Sequence, residues 1–181
     1  EPEAGRKVEQ VRGECPDTDF SVDMIGSVQR KKAKTVARWA RRVHSVDSPE
    51  LVDALASGAQ KAIDAGERTG PLGVLLQMSL DGDIHRGGAV EAELPVLADR
   101  VLANPETLTL DGLMVITPLD GDADAHLADA SRIRDGFLAR YPGATEFSAG
   151  MSGDLESAIA HGSTCVRVGT AIVGPRPIIS P

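Results

Sequence analysis

The residues best equipped for chemistry lie in one stretch, Phe147 to Gly174, FSAGMSGDLESAIAHGSTCVRVGTAIVG. It holds two turns rich in Gly, Ser and Thr, one at Ala149–Gly153 and one at Gly169-Thr170. Each follows a predicted strand and opens a predicted helical turn. Free backbone N–H groups at such a junction suit a phosphate. Ser152, Gly169 and Thr170 are therefore candidate phosphate ligands. Gly150 and Met151 share the first turn, where a ligand can approach the backbone closely. The plain alternative is that Gly and Ser only make tight turns here. No Walker A pattern is present, and no GxGxxG follows a strand. Asp154 and Glu156 fall in the first turn of the helix that follows, where carboxylates suit the dipole.

Arg167 lies between Val166 and Val168, in a segment, Cys165–Val168, that reads as a buried strand. An Arg there is costly unless paired. Either it meets a carboxylate, with Glu146, Asp154 and Glu156 as candidates, or it faces an anionic or aromatic-nitrogen group of a ligand. His44 ends a strand in VHSVDS, a place more often filled by a hydrogen-bonded core residue than by a catalyst. Asp47-Ser48 reads as the cap of the next helix. Asp81, Asp83, His85 and Arg86 match no standard metal spacing and read as a solvated loop. Arg30, Lys31, Lys32, Lys34, Arg38, Arg41 and Arg42 read as a solvated basic helix face. No Ser-His-Asp or Cys-His arrangement is supported by spacing.

These residues need a scaffold, and the hydrophobic pattern supplies one. Phe20–Ile25 alternates as a strand. A helix is expected from about Gln29 to Arg42, then a short strand at Val43–Asp47. Ser48-Pro49-Glu50 starts a helix with Ser at N-cap and Pro at N1. Leu72–Leu80 is a nearly continuous apolar run, as in a strand buried on both faces. A helix follows over about Val90–Ala103, then a strand over Leu108–Ile116 interrupted by Asp111-Gly112, then a long helix over Ala123–Arg140. Strand and helix thus alternate about six times with no hairpin signal, which implies a parallel α/β sheet. An open doubly wound sheet and a (β/α)8 barrel both fit. Phosphate-like turns after the last two strands favour the barrel.

The chain has 181 residues, 41% of them apolar and only 3% aromatic, so the core is expected to be aliphatic. One domain over residues 1–181 is expected. A net charge of −8 argues against a nucleic-acid or anionic-membrane binder. No apolar run approaches the length of a membrane span, and no signal-peptide pattern is visible. Cys15 and Cys165 read as two reduced thiols of a cytoplasmic protein. The chain begins at Glu1 rather than Met, and six strands are two short of a barrel. A preceding segment carrying the first one or two β/α units is expected.

SAGMSGDLESAIAHGSTCVRVGTAIVGPR resembles the C-terminal signature of the YggS/PROSC family, the pyridoxal phosphate homeostasis proteins. MIGSVQRKKA resembles the family's IGxLQxNK segment, and HSVDS matches outright. VLLQMSLDGD and LDGLMVITPL resemble its two central strands, and SLDGD, RGG and STCVRVGTA look most like actinobacterial members. The resemblance covers essentially the whole chain.

It implies the alanine racemase N-terminal-domain barrel and a site for pyridoxal 5′-phosphate (PLP), or for phosphate or sulfate in its place. Ser152 and the turn at Gly169-Thr170 would hold the phosphate, and Arg167 would face the pyridine nitrogen. A cationic Arg there keeps that nitrogen unprotonated and weakens PLP as an electron sink. Met78, Ser79, His44 and Ile25 would lie near the ring. The family's PLP-bearing lysine, in a segment like AVSK, matches none of Lys7, Lys31, Lys32, Lys34 and Lys61. Pro2 stands where Asn is usual, Asp23 where His is usual and Lys31 where Asn is usual. The implied function is intracellular PLP homeostasis by a monomer without turnover of its own. An alanine-racemase-like enzyme is the alternative; it needs a catalytic Tyr, and Tyr141 stands at a helix end. An unrelated barrel enzyme acting on a phosphorylated metabolite would need an acid/base pair, and no convincing pair is visible. A folded fragment unable to hold PLP covalently is the remaining reading.

Overall fold

The computed structural model describes residues 2–18, 20–83, 85–169, 172 and 174. Among these residues six α-helices and five strands alternate from α2 onward: α1 (Pro2–Glu14), α2 (Ala33–Trp39), β1 (Arg42–Val46), α3 (Pro49–Asp64), β2 (Leu72–Met78), α4 (Leu94–Leu102), β3 (Leu108–Val115), α5 (Ala123–Arg140), β4 (Glu146–Met151), α6 (Leu155–Ala160) and β5 (Cys165–Arg167). The strands form one all-parallel sheet in the order β1-β2-β3-β4-β5. Each crossover carries a helix, as parallel neighbours require. This is a parallel α/β fold whose five-stranded sheet curls into a half-barrel.

The core follows from composition. β2 is buried along its whole length. Val43, Val46, Val74, Leu76, Leu113, Val115, Phe147 and Ala149 join one hydrophobic cluster with the inward faces of α2 to α5. Alternation along β4 puts Phe147 and Ala149 into that cluster and turns Ser148 the other way.

Several expected elements are shorter than their patterns. Phe20–Ile25 makes a single bridge, Met24 to Val43. It still runs parallel to β1 through Arg41 N–H to Val22 O, Met24 N–H to Arg42 O and His44 N–H to Met24 O. Among the described residues these three are the backbone bonds it makes to β1. The basic helix ends at Trp39 after a 3-10 turn at Arg30–Lys32. Arg41 and Arg42 therefore leave it: Arg41 pairs with Asp23 and Arg42 with Asp111 and Glu146, while Arg38 pairs with Glu67. α4 begins at Leu94, next to Pro95, because a Pro is tolerated only in the first turn. Ser48 makes no side-chain cap bond on α3, and the Asp47 carboxylate instead accepts from Gly88 N–H. β5 is half-buried rather than buried.

One irregularity sets the register of the site. Val74 pairs with Leu110 and Leu75 with Gly112, so Asp111 is an extra residue, a β-bulge. The bulge sends the Asp111 carboxylate to Arg42 Nε at 2.6 Å, and Arg42 Nη2 reaches Glu146 at 3.0 Å. Three strands are thereby tied at their N-terminal ends, opposite the cleft described below.

Tyr141, the one tyrosine, gives a direct check of packing. Its hydroxyl donates to Asp99 Oδ1 at 2.6 Å and lies 3.2 Å from Pro95 O. Burial and the Asp99 bond push the phenol up to about 12. An ordinary tyrosine titrates near about 10. A raised value in the folded state means the neutral phenol supports the fold. That contribution is complete below the ordinary value and is lost as pH climbs through the raised one. Alkaline spectrophotometric titration is expected to place the folded transition well above that of free tyrosine. An unshifted transition would remove the Asp99 bond.

Candidate functional site

A cleft of about 1030 Å³ opens at the C-terminal ends of the strands, where parallel α/β folds bind ligands. Asp23 and Ile25 of the first extended segment and His44 of β1 form one wall. Met151, at the end of β4, and Ser152 and Gly153 just beyond it form another. Arg167 and Gly169, at and beyond the end of β5, complete it.

Arg167 is the central side chain. It is half-buried, and burial pushes its guanidinium below the ordinary arginine value, against the pull of Cys165 and Asp154. None of the three expected carboxylates pairs with it. Glu146 is engaged by Arg42 and Thr164. Asp154 accepts from Met151 N–H at 2.6 Å and from Thr117 Oγ1 at 3.0 Å, which closes the turn. Glu156 is exposed on α6. Arg167 donates instead to Ser148 Oγ and to Val115 O, each at 2.8 Å. Among the described residues it has no ion-pair partner. A desolvated cation held only by neutral oxygens suits an incoming electron-rich or anionic group.

His44, 1% exposed, contacts Ser148 Oγ through Nδ1 at 3.0 Å and Asp23 Oδ2 through Nε2 at 3.2 Å. Burial pushes the Asp23 carboxyl up, but the hydrogen bonds from His44 and Arg41 outweigh it and hold the group well below the usual carboxylate range. Arg41 engages both oxygens of Asp23, at 2.9 and 2.7 Å.

Six of the residues expected from sequence thus line one cleft: Ser152, Met151, Arg167, Gly169, His44 and Ile25. Three do not. Met78 is 2% exposed within the hydrophobic cluster, because β2 is central and buried on both faces. Ser79 donates to Asp81 and accepts from Gly82 N–H, so it serves the loop after β2. Gly150, at φ +91°, is small for packing: a Cβ there would lie 2.6 Å from Ala158 Cβ and 3.2 Å from Leu155 Cα. Thr170 lies outside the described residues. Asp23 and Ser148 were not among the expected site residues. A polar residue facing away from Phe147 and Ala149 in a buried strand is the signal that marks Ser148.

Tyr141 takes no part in this cleft; it packs against Phe137, with ring centroids 4.7 Å apart, beneath α4. None of the five lysines lines the cleft. Among the described residues, no helix is long and apolar enough to cross a membrane.

The alanine racemase N-terminal domain family matches residues 17–177. The pyridoxal phosphate homeostasis protein of Corynebacterium glutamicum is 46% identical over 91% of this chain, which spans 74% of that protein's length. The Mycobacterium tuberculosis protein of the same name is 48% identical over 87% of this chain, which spans 62% of its length. Among solved structures, PipY of Synechococcus elongatus with PLP bound superposes with a TM-score of 0.73 at 30% identity, over 92% of this chain and 76% of that one. Family match, identity and shared architecture agree: the chain belongs to the pyridoxal phosphate homeostasis protein family, built on the alanine racemase N-terminal domain.

Proposed function

We propose that the cleft holds PLP and that the protein serves PLP homeostasis as a single-domain, intracellular monomer, without turnover of its own. The observation that carries this reading is Arg167, a half-buried cation with no carboxylate partner among the described residues, aimed at the cleft from the end of β5. Its free N–H groups suit the lone pair of a pyridine nitrogen. Ser152 and the backbone around Gly153 and Gly169 are exposed on the cleft rim and suit the phosphate. α6 has only six residues, so hydroxyl and backbone donors at the turn carry the phosphate more than any helix dipole. His44 supports Arg167 from behind. Thr170 is assigned to the phosphate on the family resemblance alone.

Bound PLP supplies an electrophilic aldehyde and an electron-accepting ring. The residues of the cleft bind and orient it. With no lysine on the cleft wall, this chain is expected to hold PLP reversibly. An alanine-racemase-like activity would call for a tyrosine in the cleft, and Tyr141 is engaged with Asp99 and Pro95.

Equilibrium dialysis of the 181-residue chain against PLP tests the reading, with inorganic phosphate as competitor and borohydride followed by intact mass as a trap. The expected result is one saturable equivalent, displaced by phosphate, with no mass gain after borohydride. Absence of a saturable site would overturn the binding reading. A stoichiometric mass gain would overturn the reversible one.

A further inference from the structure

We propose that Ser148, His44 and Asp23 are positioning residues that fix the guanidinium of Arg167 through a hydrogen-bond chain of one defined polarity. The direction of each bond follows from what each group is able to donate. Asp23 is held ionised by Arg41 and His44, so it only accepts. His44 Nε2 must therefore carry the hydrogen that points at Asp23 Oδ2, 3.2 Å away. In the neutral imidazole this leaves Nδ1 bare, able only to accept. Ser148 must then donate its single hydrogen to Nδ1, across 3.0 Å. The lone pairs of Ser148 Oγ are left to accept from Arg167 Nη1 at 2.8 Å.

Every hydrogen in the chain has one taker. A doubly protonated imidazole would aim Nδ1–H and Arg167 Nη1–H at the same oxygen and leave the Ser148 hydrogen without its acceptor. Both central groups are sealed from water, His44 at 1% exposure and Ser148 at 0%, so solvent does not repair a broken link. The second anchor is Val115 O, which accepts from Arg167 Nη2 at 2.8 Å. Held at two nitrogens by β3 and β4, the guanidinium plane has one orientation before any ligand arrives. Preorganisation of this kind removes an ordering cost from binding. The chain ends in Asp23, where the family resemblance has His as the usual residue, so its outer half is particular to this sequence.

The ligand readout below rests on the PLP reading; the first readout does not. Nitrogen-15 NMR of the ligand-free 181-residue chain measures rotation of the Arg167 guanidinium. Slow rotation is expected in the unsubstituted chain and in His44→Asn, whose carboxamide oxygen replaces Nδ1 as acceptor. Fast rotation is expected in Ser148→Ala and in His44→Gln, which keeps only the Asp23 link. Thermal melts accompany each variant, and His44→Gln carries the test if Ser148→Ala does not fold. Equal rotation in the unsubstituted chain and both releasing variants would overturn the proposal. The second readout compares PLP with an analogue whose ring nitrogen is replaced by C–H. The unsubstituted chain is expected to favour PLP by roughly tenfold, the worth of one hydrogen bond to a charged group. Ser148→Ala should shrink that preference towards one while inorganic phosphate binds as before. Slow rotation with no ring-nitrogen preference would keep the positioning chain and overturn the pyridine assignment instead.

Discussion

Arg167→Ala is expected to weaken PLP binding by roughly 10- to 100-fold, the range set by about 1.5–3 kcal/mol for a hydrogen bond from a charged donor. The same substitution should leave the thermal midpoint unchanged or raise it. Arg167 is desolvated and meets only Ser148 Oγ and Val115 O, with no opposite charge to offset its burial. Removing such a cation relieves a cost in the folded state. Loss of affinity with gain of stability marks a residue kept for binding rather than for folding. Dialysis and a thermal melt on one preparation check both halves. A variant that binds PLP as tightly as the unsubstituted chain would remove Arg167 from the site. A variant that loses both affinity and stability would make Arg167 a structural residue.

Gly112→Ala is expected to be the most damaging small substitution in the sheet. A Cβ at Gly112 would be driven into the Glu146 carbonyl, 2.6 Å from its carbon and 2.9 Å from the Glu146 Cα. These are backbone atoms of the paired strand, and Gly112 is itself in register with Glu146. Nothing flexible is available to yield. Separating β3 from β4 would cost about 3 kcal/mol or more, at the upper end of overpacking effects. It would also shift Val115 against Ser148, the two anchors of Arg167. Urea unfolding checks the stability, and a midpoint within error of the unsubstituted chain would contradict the close strand approach. Gly143→Ala, where nothing lies within 4 Å, is the matched control and should be nearly neutral.

Long, strongly periodic segments were legible in the sequence. α5 runs over Ala123–Arg140 as its pattern requires, and the apolar run from Leu72 becomes the buried strand β2. Segments whose structure depends on neighbours were less so. Phe20–Ile25 alternates like a strand, yet among the described residues it makes one bridge, to β1. Arg41 and Arg42 continue a basic run, but their partners lie on Asp23, Asp111 and Glu146, and those pairings pull them off the helix. The site shows the same division. That Arg167 needed a partner was readable from its apolar neighbours. Its partners were not, because Ser148 is 19 and Val115 is 52 residues away. His44 meets Ser148 across 104 residues, a proximity that only closure of the sheet creates. Gly150 was read as room for a ligand, whereas the room is taken by α6.

The most direct measurement is a crystal structure of the 181-residue chain with PLP. The expected result places the phosphate within hydrogen-bond distance of Ser152 and the Gly169 backbone, and the ring nitrogen within hydrogen-bond distance of Arg167. PLP seated outside the cleft, or inside it with the ring nitrogen turned away from Arg167, would contradict the account.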